Sequence, residues 1–250
     1  MAVFPWTPPS LTNAGMEAGR LRALALCRIK QARELQTLRV ETSERVKEAL
    51  KHPLHWLQNH TKTYNEHWVE EGRRTPYESF PDKPYYGPLL DMFIAEPVFC
   101  VEKSRDMMVS WLCVGYFLWE VMQHAMRGAA FQCQKEGKVE QLIKYAKHLY
   151  SLQDDFIKAE FPLSKPLDRQ PVLELEFDHG GLIKGLPGGA DQVRSYHPWG
   201  YYNDETAFQP EAGDCYDESL AAAQKIVLNS SAGPGWYAEF KNDSQLDIED

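Results

Sequence analysis

No two of the five cysteines, Cys27, Cys100, Cys113, Cys133 and Cys215, form a Cys-x-x-Cys pair. That removes the spacing of zinc ribbons and thioredoxin-type redox sites. Three of them lie inside apolar runs and read as small core residues of a reducing compartment. The eight histidines show no His-Glu-x-x-His spacing, so a metalloprotease-type zinc site is not expected. No apolar run approaches the roughly 18 residues of a membrane span. The N-terminus lacks the basic-then-apolar layout of a secretory signal. These absences predict a soluble, intracellular protein with no membrane partner. There is no internal repeat, and Gly-Lys-Ser/Thr occurs nowhere, so a standard Walker A motif is missing.

What is present is ordinary in total and uneven in distribution. The 250 residues, 43% hydrophobic and 25% charged, suffice for one large α/β domain with an N-terminal addition. The net charge of −9 is polarised. Residues 20–47 hold eight Lys/Arg against three Asp/Glu, and residues 203–250 hold two against eleven. A basic arm and an acidic end, or two solvated faces, both fit that pattern.

The chain is organised around residues 97–112, Pro-Val-Phe-Cys-Val-Glu-Lys-Ser-Arg-Asp-Met-Met-Val-Ser-Trp-Leu. A short buried strand leads into a loop with two cations and a hydroxyl, and then into a long apolar helix over 109–126. Free amides and the helix dipole at such a junction favour an anion. Before it, residues 1–15 read as a flexible lead-in and 16–50 as one or two charged helices. Such a helical stretch can lie on DNA or a neighbouring subunit, or pack on the main domain. Residues 51–80 read as helical turns linked by loops, and Leu89–Ala95 as a short helix. After the central stretch come a strand at 129–133, an amphipathic helix at 136–152, a loop at 154–171 and a hairpin from 172–177 and 182–186. Strands at 199–203 and 225–229 flank a helix at 215–224. Residues 241–250 are polar and expected to fray. Strands alternating with helices imply a parallel sheet with right-handed crossovers.

Three polar features close apolar strands in the order of a P-loop nucleotidase: Lys103-Ser104-Arg105, then Asp204-Glu205, then Ser230-Ser231. In a parallel sheet the loops at strand carboxyl ends share one edge, where they can meet a single ligand. Lys103 and Arg105 can neutralise β- and γ-phosphate charge. Ser110, at a helix start, and Asp204 suit Mg²⁺. Glu205 can orient the attacking water. Arg194, after Pro187-Gly188-Gly189, can reach a phosphate in a neighbouring subunit or form a surface ion pair. Each signal occurs often by chance, and the ordered combination carries the reading.

Four segments, KSRDMMVSWL, GAAFQCQKEGKVEQLIKYAKHLY, KGLPGGADQVRSYHPWGYYNDETAF and KIVLNSSAGPGWYAEF, together resemble the ATPase domain of phage large terminase subunits over residues 52–241. The resemblance implies a P-loop NTPase fold of the ASCE/RecA-like type, a mainly parallel sheet flanked by helices with a helical N-terminal extension. The implied domains are an arm at 1–50, the ATPase at 51–241 and a tail or linker at 242–250, with no nuclease domain. The implied cofactors are ATP and Mg²⁺. The implied nucleotide site is a deviant Walker A at Lys103, Ser104, Arg105, Asp106, Met107, Met108, Val109, Ser110 and Trp111. Lys103, Arg105 and Glu205 are then catalytic, Ser110 and Asp204 hold the metal, Ser230 and Ser231 couple nucleotide state to movement, and Arg194 is a trans-acting arginine. Residues 84–87 occupy the adenine-contacting place. The implied partners are double-stranded DNA, a portal protein, a small terminase subunit and further copies in a ring, a pentamer by resemblance, in the cytoplasm of an infected bacterium.

Two positions depart from the pattern. Asp106 replaces the family's Gln, and Met108 stands where the family has Gly. These departures fit an ATPase that is slow until assembled. They also leave open a catalytically weak docking module. A helicase-like translocase shares the core, but it normally brings a second lobe.

Overall fold

The computed structural model describes residues 13–65, 67–105 and 107–246, and the chain divides into two compact units, 1–48 and 49–250. The first is occupied by a single helix, α1 (Asn13–Ala49). The lead-in at 1–12 lies outside the described residues. Nothing between 16 and 49 breaks a helix except Gly19, so one helix forms rather than two. Thr37 and Thr42 turn their hydroxyls back to the carbonyls four residues earlier, at 3.0 and 2.8 Å, which removes their competition with the helix ladder.

The second unit opens with α2 (Pro53–His60), where His52 Nδ1 accepts from the Leu54 amide at 3.2 Å and Pro53 takes the first turn. Residues 62–79 then depart from the expected helical turns. Lys62–Tyr64 (β1) pairs antiparallel with Tyr77–Ser79 (β2). Next come α3 (Tyr86–Ala95), β3 (Val98–Glu102), α4 (Val109–Gln123), β4 (Gly128–Cys133) and α5 (Glu136–Ser151). The stretch expected as loop contains α6 (Asp155–Glu160) and a 3₁₀ turn at Leu167–Arg169. It leads to the expected hairpin of β5 (Glu174–Glu176) and β6 (Leu182–Leu186). The chain continues with α7 (Ala190–Arg194), β7 (Gly200–Asp204), α8 (Ala212–Ala222), β8 (Lys225–Ser230) and α9 (Trp236–Leu246). Helix α9 runs through 241–246, where fraying was expected. Trp236 and Phe240, one turn apart, stack at 4.9 Å and anchor it beside Tyr216.

The six-stranded sheet has the order β3-β8-β7-β4-β6-β5. All pairs are parallel except β5 with β6. Strand β8, last in sequence, is inserted between β3 and β7. Register then aligns the strand ends: Glu102 pairs with Ser230, Asn229 with Asp204, and Asp204 with Cys133. The expected features after β3, β7 and β8 therefore share one edge.

Helix α4 is buried from Trp111 to Leu118, as its nearly unbroken apolar sequence requires. It ends at Gln123 rather than at 126, because His124 is extended and Met126 takes a positive φ of 60°. Phe117 packs edge-on against Phe131 of β4 and tilts against Tyr202 of β7. This aromatic cluster fixes the helix that follows the cationic loop to the strand that carries the acidic pair. On the other flank, Lys225 Nζ donates to the carbonyls of Phe93 (2.6 Å), Ile94 and Glu96. One ammonium thereby caps the carboxyl end of α3 and fastens it to β8.

Candidate nucleotide-binding site

The loop from Lys103 to Met108 is held at both ends. The Lys103 amide donates to the Ser230 carbonyl at 2.9 Å, extending the β3–β8 ladder by one residue. The Met107 carbonyl accepts from the hydroxyls of Tyr85 (3.1 Å) and Tyr86 (3.2 Å). These two tyrosines therefore brace the loop from behind. Residues 84–87 do not line the cleft described below. Met108 is the N-cap of α4, with φ 55° and ψ 23° and no side-chain cap. The backbone demands a left-handed residue there, which accounts for glycine in the resembling pattern and means that methionine carries strain. The first-turn amides of α4 have no carbonyl one turn earlier within the helix, the arrangement that favours an anion. Asp106 lies outside the described residues.

A cleft of about 720 Å³ opens on this edge. Lys103, Arg105, Met108, Val109, Ser110 and Trp111 line it from the loop and α4, Glu205 and Phe208 from the far side, and Ser231 and Ala232 from the end of β8. Lys138 and Tyr145 of α5 complete the wall. Of the expected residues, Ser104, Met107, Asp204 and Ser230 are not in that lining. Arg194 is not either. It is exposed, its guanidinium donating to Glu218 at 2.5 Å and to Asp191 at 3.4 Å, on an acidic surface formed with Asp214 and Asp217.

Asp204 sits under the cleft, 8% exposed. Asn229 Nδ2 donates to its Oδ1 at 2.6 Å and also reaches Tyr202 Oη at 3.2 Å and Ser110 Oγ at 3.5 Å. Burial pushes the Asp204 carboxyl above the usual range. Lys103 and the hydrogen bonds from Ser110 and Asn229 pull against that, and the neighbouring Glu205 adds to it. The donor set fits a hard divalent cation such as Mg²⁺. A carboxylate and a hydroxyl lie side by side, and Asn229 Oδ1 is a buried oxygen with no partner. Among the described residues no cluster of three His, Cys, Asp or Glu could hold a metal alone.

A buried carboxylate with a raised pKa carries a stability cost once ionised. The folded state holds the proton over a window that begins near the ordinary Asp value of about 3.9, so stability falls as pH rises through that window. Asp204→Asn keeps an acceptor for Asn229 and removes the charge. It is expected to raise stability at pH 7 by about 1 kcal/mol, with the gain vanishing below about pH 4. Thermal melts across pH check this.

Glu205 turns out of β7 with φ 56° and ψ 37° into a 3₁₀ turn, Thr206–Phe208. Its Oε2 accepts from the Cys133 thiol at 3.7 Å, and Lys138 Nζ lies 3.8 Å from its Oε1. Burial, then the charges of Asp204 and Glu205, pushes the Cys133 thiol up to about 12, so the sulfur stays protonated and donates. Ser230 joins the two halves of the site. Its carbonyl holds Lys103 and its hydroxyl accepts from the Ala207 amide at 3.1 Å. Thr206 adds a hydroxyl to the Asn203 carbonyl at 3.1 Å.

Asn203 looks out of place in an apolar strand, but it is fully buried in a polar chain. It bonds Tyr201 Oη at 2.8 Å and Gln209, which in turn donates to the Asp204 carbonyl at 3.0 Å. Tyr201 donates to Gln132 at 2.5 Å, and Gln132 donates to the carbonyls of Pro187 and Gly189. This satisfied network fixes the acidic pair from below. Sequence reading missed Asn229, Cys133, Lys138 and Tyr145. Asn229 carried a usable signal, a lone amide in an apolar strand just before Ser-Ser. A lysine in the first turn of an amphipathic helix carries none.

No protein-family model matches the chain, and no curated protein matches it by sequence. Solved structures do. The large terminase of bacteriophage HK97 is 10% identical with a TM-score of 0.57, over 80% of this chain and 42% of that one. The large terminase ATPase domain of Thermus phage P74-26 is 10% identical with a TM-score of 0.49, over 64% and 69%. The large terminase of a thermophilic bacteriophage, in complex with ATP-γ-S, is 12% identical with a TM-score of 0.39, over 60% and 38%. The first of these carries the comparison, and the match takes in less than half of the HK97 chain. With the parallel, helix-flanked sheet and its inserted β8, it shows that the chain has an α/β P-loop NTPase fold.

Proposed function

We propose that this chain is the ATPase motor of a viral DNA-packaging terminase, hydrolysing ATP to move double-stranded DNA into a procapsid. What supports the reading is the meeting of Lys103, Arg105, Ser110, Glu205 and Ser231 around one cleft, with Asp204 beneath it, on a fold shared with the HK97 large terminase. Lys103, Arg105 and the first-turn amides of α4 hold the β- and γ-phosphates. Ser110 and Asp204 would hold Mg²⁺, which would supply positive charge to offset that of the phosphates. Glu205 aligns the attacking water and takes its proton. Ser230 bonds both Lys103 and the turn after Glu205, so a change on either side reaches the other. That is the role expected of a coupling pair.

In this reading residues 1–50 form an arm, 51–241 the ATPase domain and 242–250 a polar tail or linker. The working form is a homo-oligomeric ring with a portal protein, a small terminase subunit and DNA, in the cytoplasm of an infected bacterium. ATP hydrolysis is the activity assigned, and no residue is assigned to nuclease chemistry.

The test is DNA-stimulated ATP turnover with and without Lys103→Ala. The substitution removes a cation that faces the phosphates, and a loss of at least roughly 100-fold in kcat/KM is expected, about 3 kcal/mol. Calorimetry of the wild type that detects no nucleotide at millimolar ATP overturns the proposal and leaves a docking module with a P-loop fold.

A further inference from the structure

The segment from the end of β4 into α5 contributes two side chains to Glu205 that the site expected from sequence does not contain. Cys133, 1% exposed, donates its thiol to one carboxylate oxygen, and Lys138 faces the other. The two contacts differ in mobility. Cys133 is locked in the sheet, its backbone paired with Asp204 of β7. The Lys138 side chain is 59% exposed and free to swing into the cleft that it lines. Its helix is fixed in place. Tyr145, two turns along the same face of α5, stacks on Trp111 at 4.0 Å with 22° between rings, directly after Ser110 of the phosphate loop. The root of Lys138 is thus held at a set distance from the phosphate loop while its tip is exposed.

Resting on the nucleotide-binding reading above, we infer that Lys138 is a triphosphate-sensing residue and Cys133 a positioning residue for Glu205. In the absence of ligand the Lys138 ammonium neutralises Glu205. When a nucleoside triphosphate enters, its terminal phosphate, the strongest anion in the cleft, draws the ammonium away from the carboxylate. Cys133 keeps hold of Oε2, so Glu205 stays aimed while its other oxygen becomes free to accept from water. A diphosphate lacks the group that reaches Lys138 and leaves the pair closed. The device makes the base available when there is something to hydrolyse.

Calorimetry with the full chain, Mg²⁺ and either ADP or a non-hydrolysable ATP analogue tests Lys138. Lys138→Met is expected to weaken the analogue about tenfold, as for one lost charge-assisted hydrogen bond, with ADP affinity changed less than about twofold. Lys138→Arg is expected to restore the difference. Equal losses for both nucleotides, or for neither, overturn the role of Lys138. Turnover assays test Cys133. Cys133→Ala is expected to lower kcat about tenfold at unchanged analogue affinity, and Cys133→Ser, which keeps a donor, to recover it. Unchanged kcat in Cys133→Ala, or a loss that Ser does not rescue in a variant with wild-type melting temperature, overturns the role of Cys133. If the wild type binds neither nucleotide, the nucleotide-site reading itself falls. If it binds both and Lys138→Met is silent, only the sensing role falls.

Discussion

Glu205→Gln is expected to reduce single-turnover ATP hydrolysis by roughly 10²- to 10⁴-fold, the range for removing a positioned general base, while affinity for a non-hydrolysable analogue changes little. The amide matches the carboxylate in size and can occupy the same left-handed turn, so the path of β7 into the Thr206–Phe208 turn is kept. The lost ion pair with Lys138 is largely exposed and contributes little to stability. Neither fold nor binding therefore explains a loss of turnover. What goes is the ability to take a proton from water. The Cys133 thiol also loses a charged acceptor, but a carbonyl oxygen of the amide can replace it. Rapid-quench kinetics with enzyme in excess isolates the chemical step from product release. A variant that keeps more than a tenth of the wild-type rate removes Glu205 from the role of base.

That Glu205 can be picked out from sequence has a physical basis. Strands buried on both faces read as apolar runs, so the polar residues that end them stand out. Lys103, Asp204 and Ser230 each follow or close such a run, and each sits at the sheet edge that borders the cleft. The order of strands was not legible, because β8 enters between β3 and β7 through pairings that reach, on the β3 side, across most of the domain. The β1–β2 hairpin was hidden because its three-residue strands carry no alternating pattern long enough to separate from helix. Helix α9 extends past its expected end because residues 241–246 are polar, while what holds the helix is the aromatic anchor at 236 and 240. At Met108 the sequence places a side chain where the resembling pattern has glycine. The structure locates the difficulty in the backbone, at φ 55°, so the obstacle is torsional. Lys138 and Cys133 were invisible for a different reason. A first-turn lysine and a strand-end cysteine look alike wherever they occur, and their closeness to Glu205 exists only once β4 lies beside β7.

Phe117→Ala is expected to cost about 3–5 kcal/mol, the upper range for truncating a buried aromatic, with a melting temperature lower by roughly 6–20 °C for a unit of this size. Phe117 is fully buried, and its ring centroid lies within 6.4 Å of those of Tyr116, Phe131, Trp199 and Tyr202. The fit is closest at Gly200, the first residue of β7. A Cβ there would come within 2.5 Å of Phe117 Cε1, so β7 can approach α4 only because that side chain is missing. The two sites should therefore be strongly non-additive. Gly200→Ala alone is expected to be severely destabilising, since the ring is boxed in by other aromatics and cannot yield. In the Phe117→Ala background the same methyl enters vacated space, and its cost should fall by at least about 1 kcal/mol. Chemical denaturation of the four proteins gives this coupling directly. Additive costs would mean that α4 and β7 do not bear on each other through this contact. The consequence reaches the chemistry, because α4 carries Ser110 and β7 carries Asp204. A cluster that lets these elements drift separates the hydroxyl from the carboxylate. Phe117→Ala is thus expected to weaken Mg²⁺-dependent nucleotide binding from a position that touches neither ligand, whereas Phe117→Leu, which fills more of the space, should retain most of both.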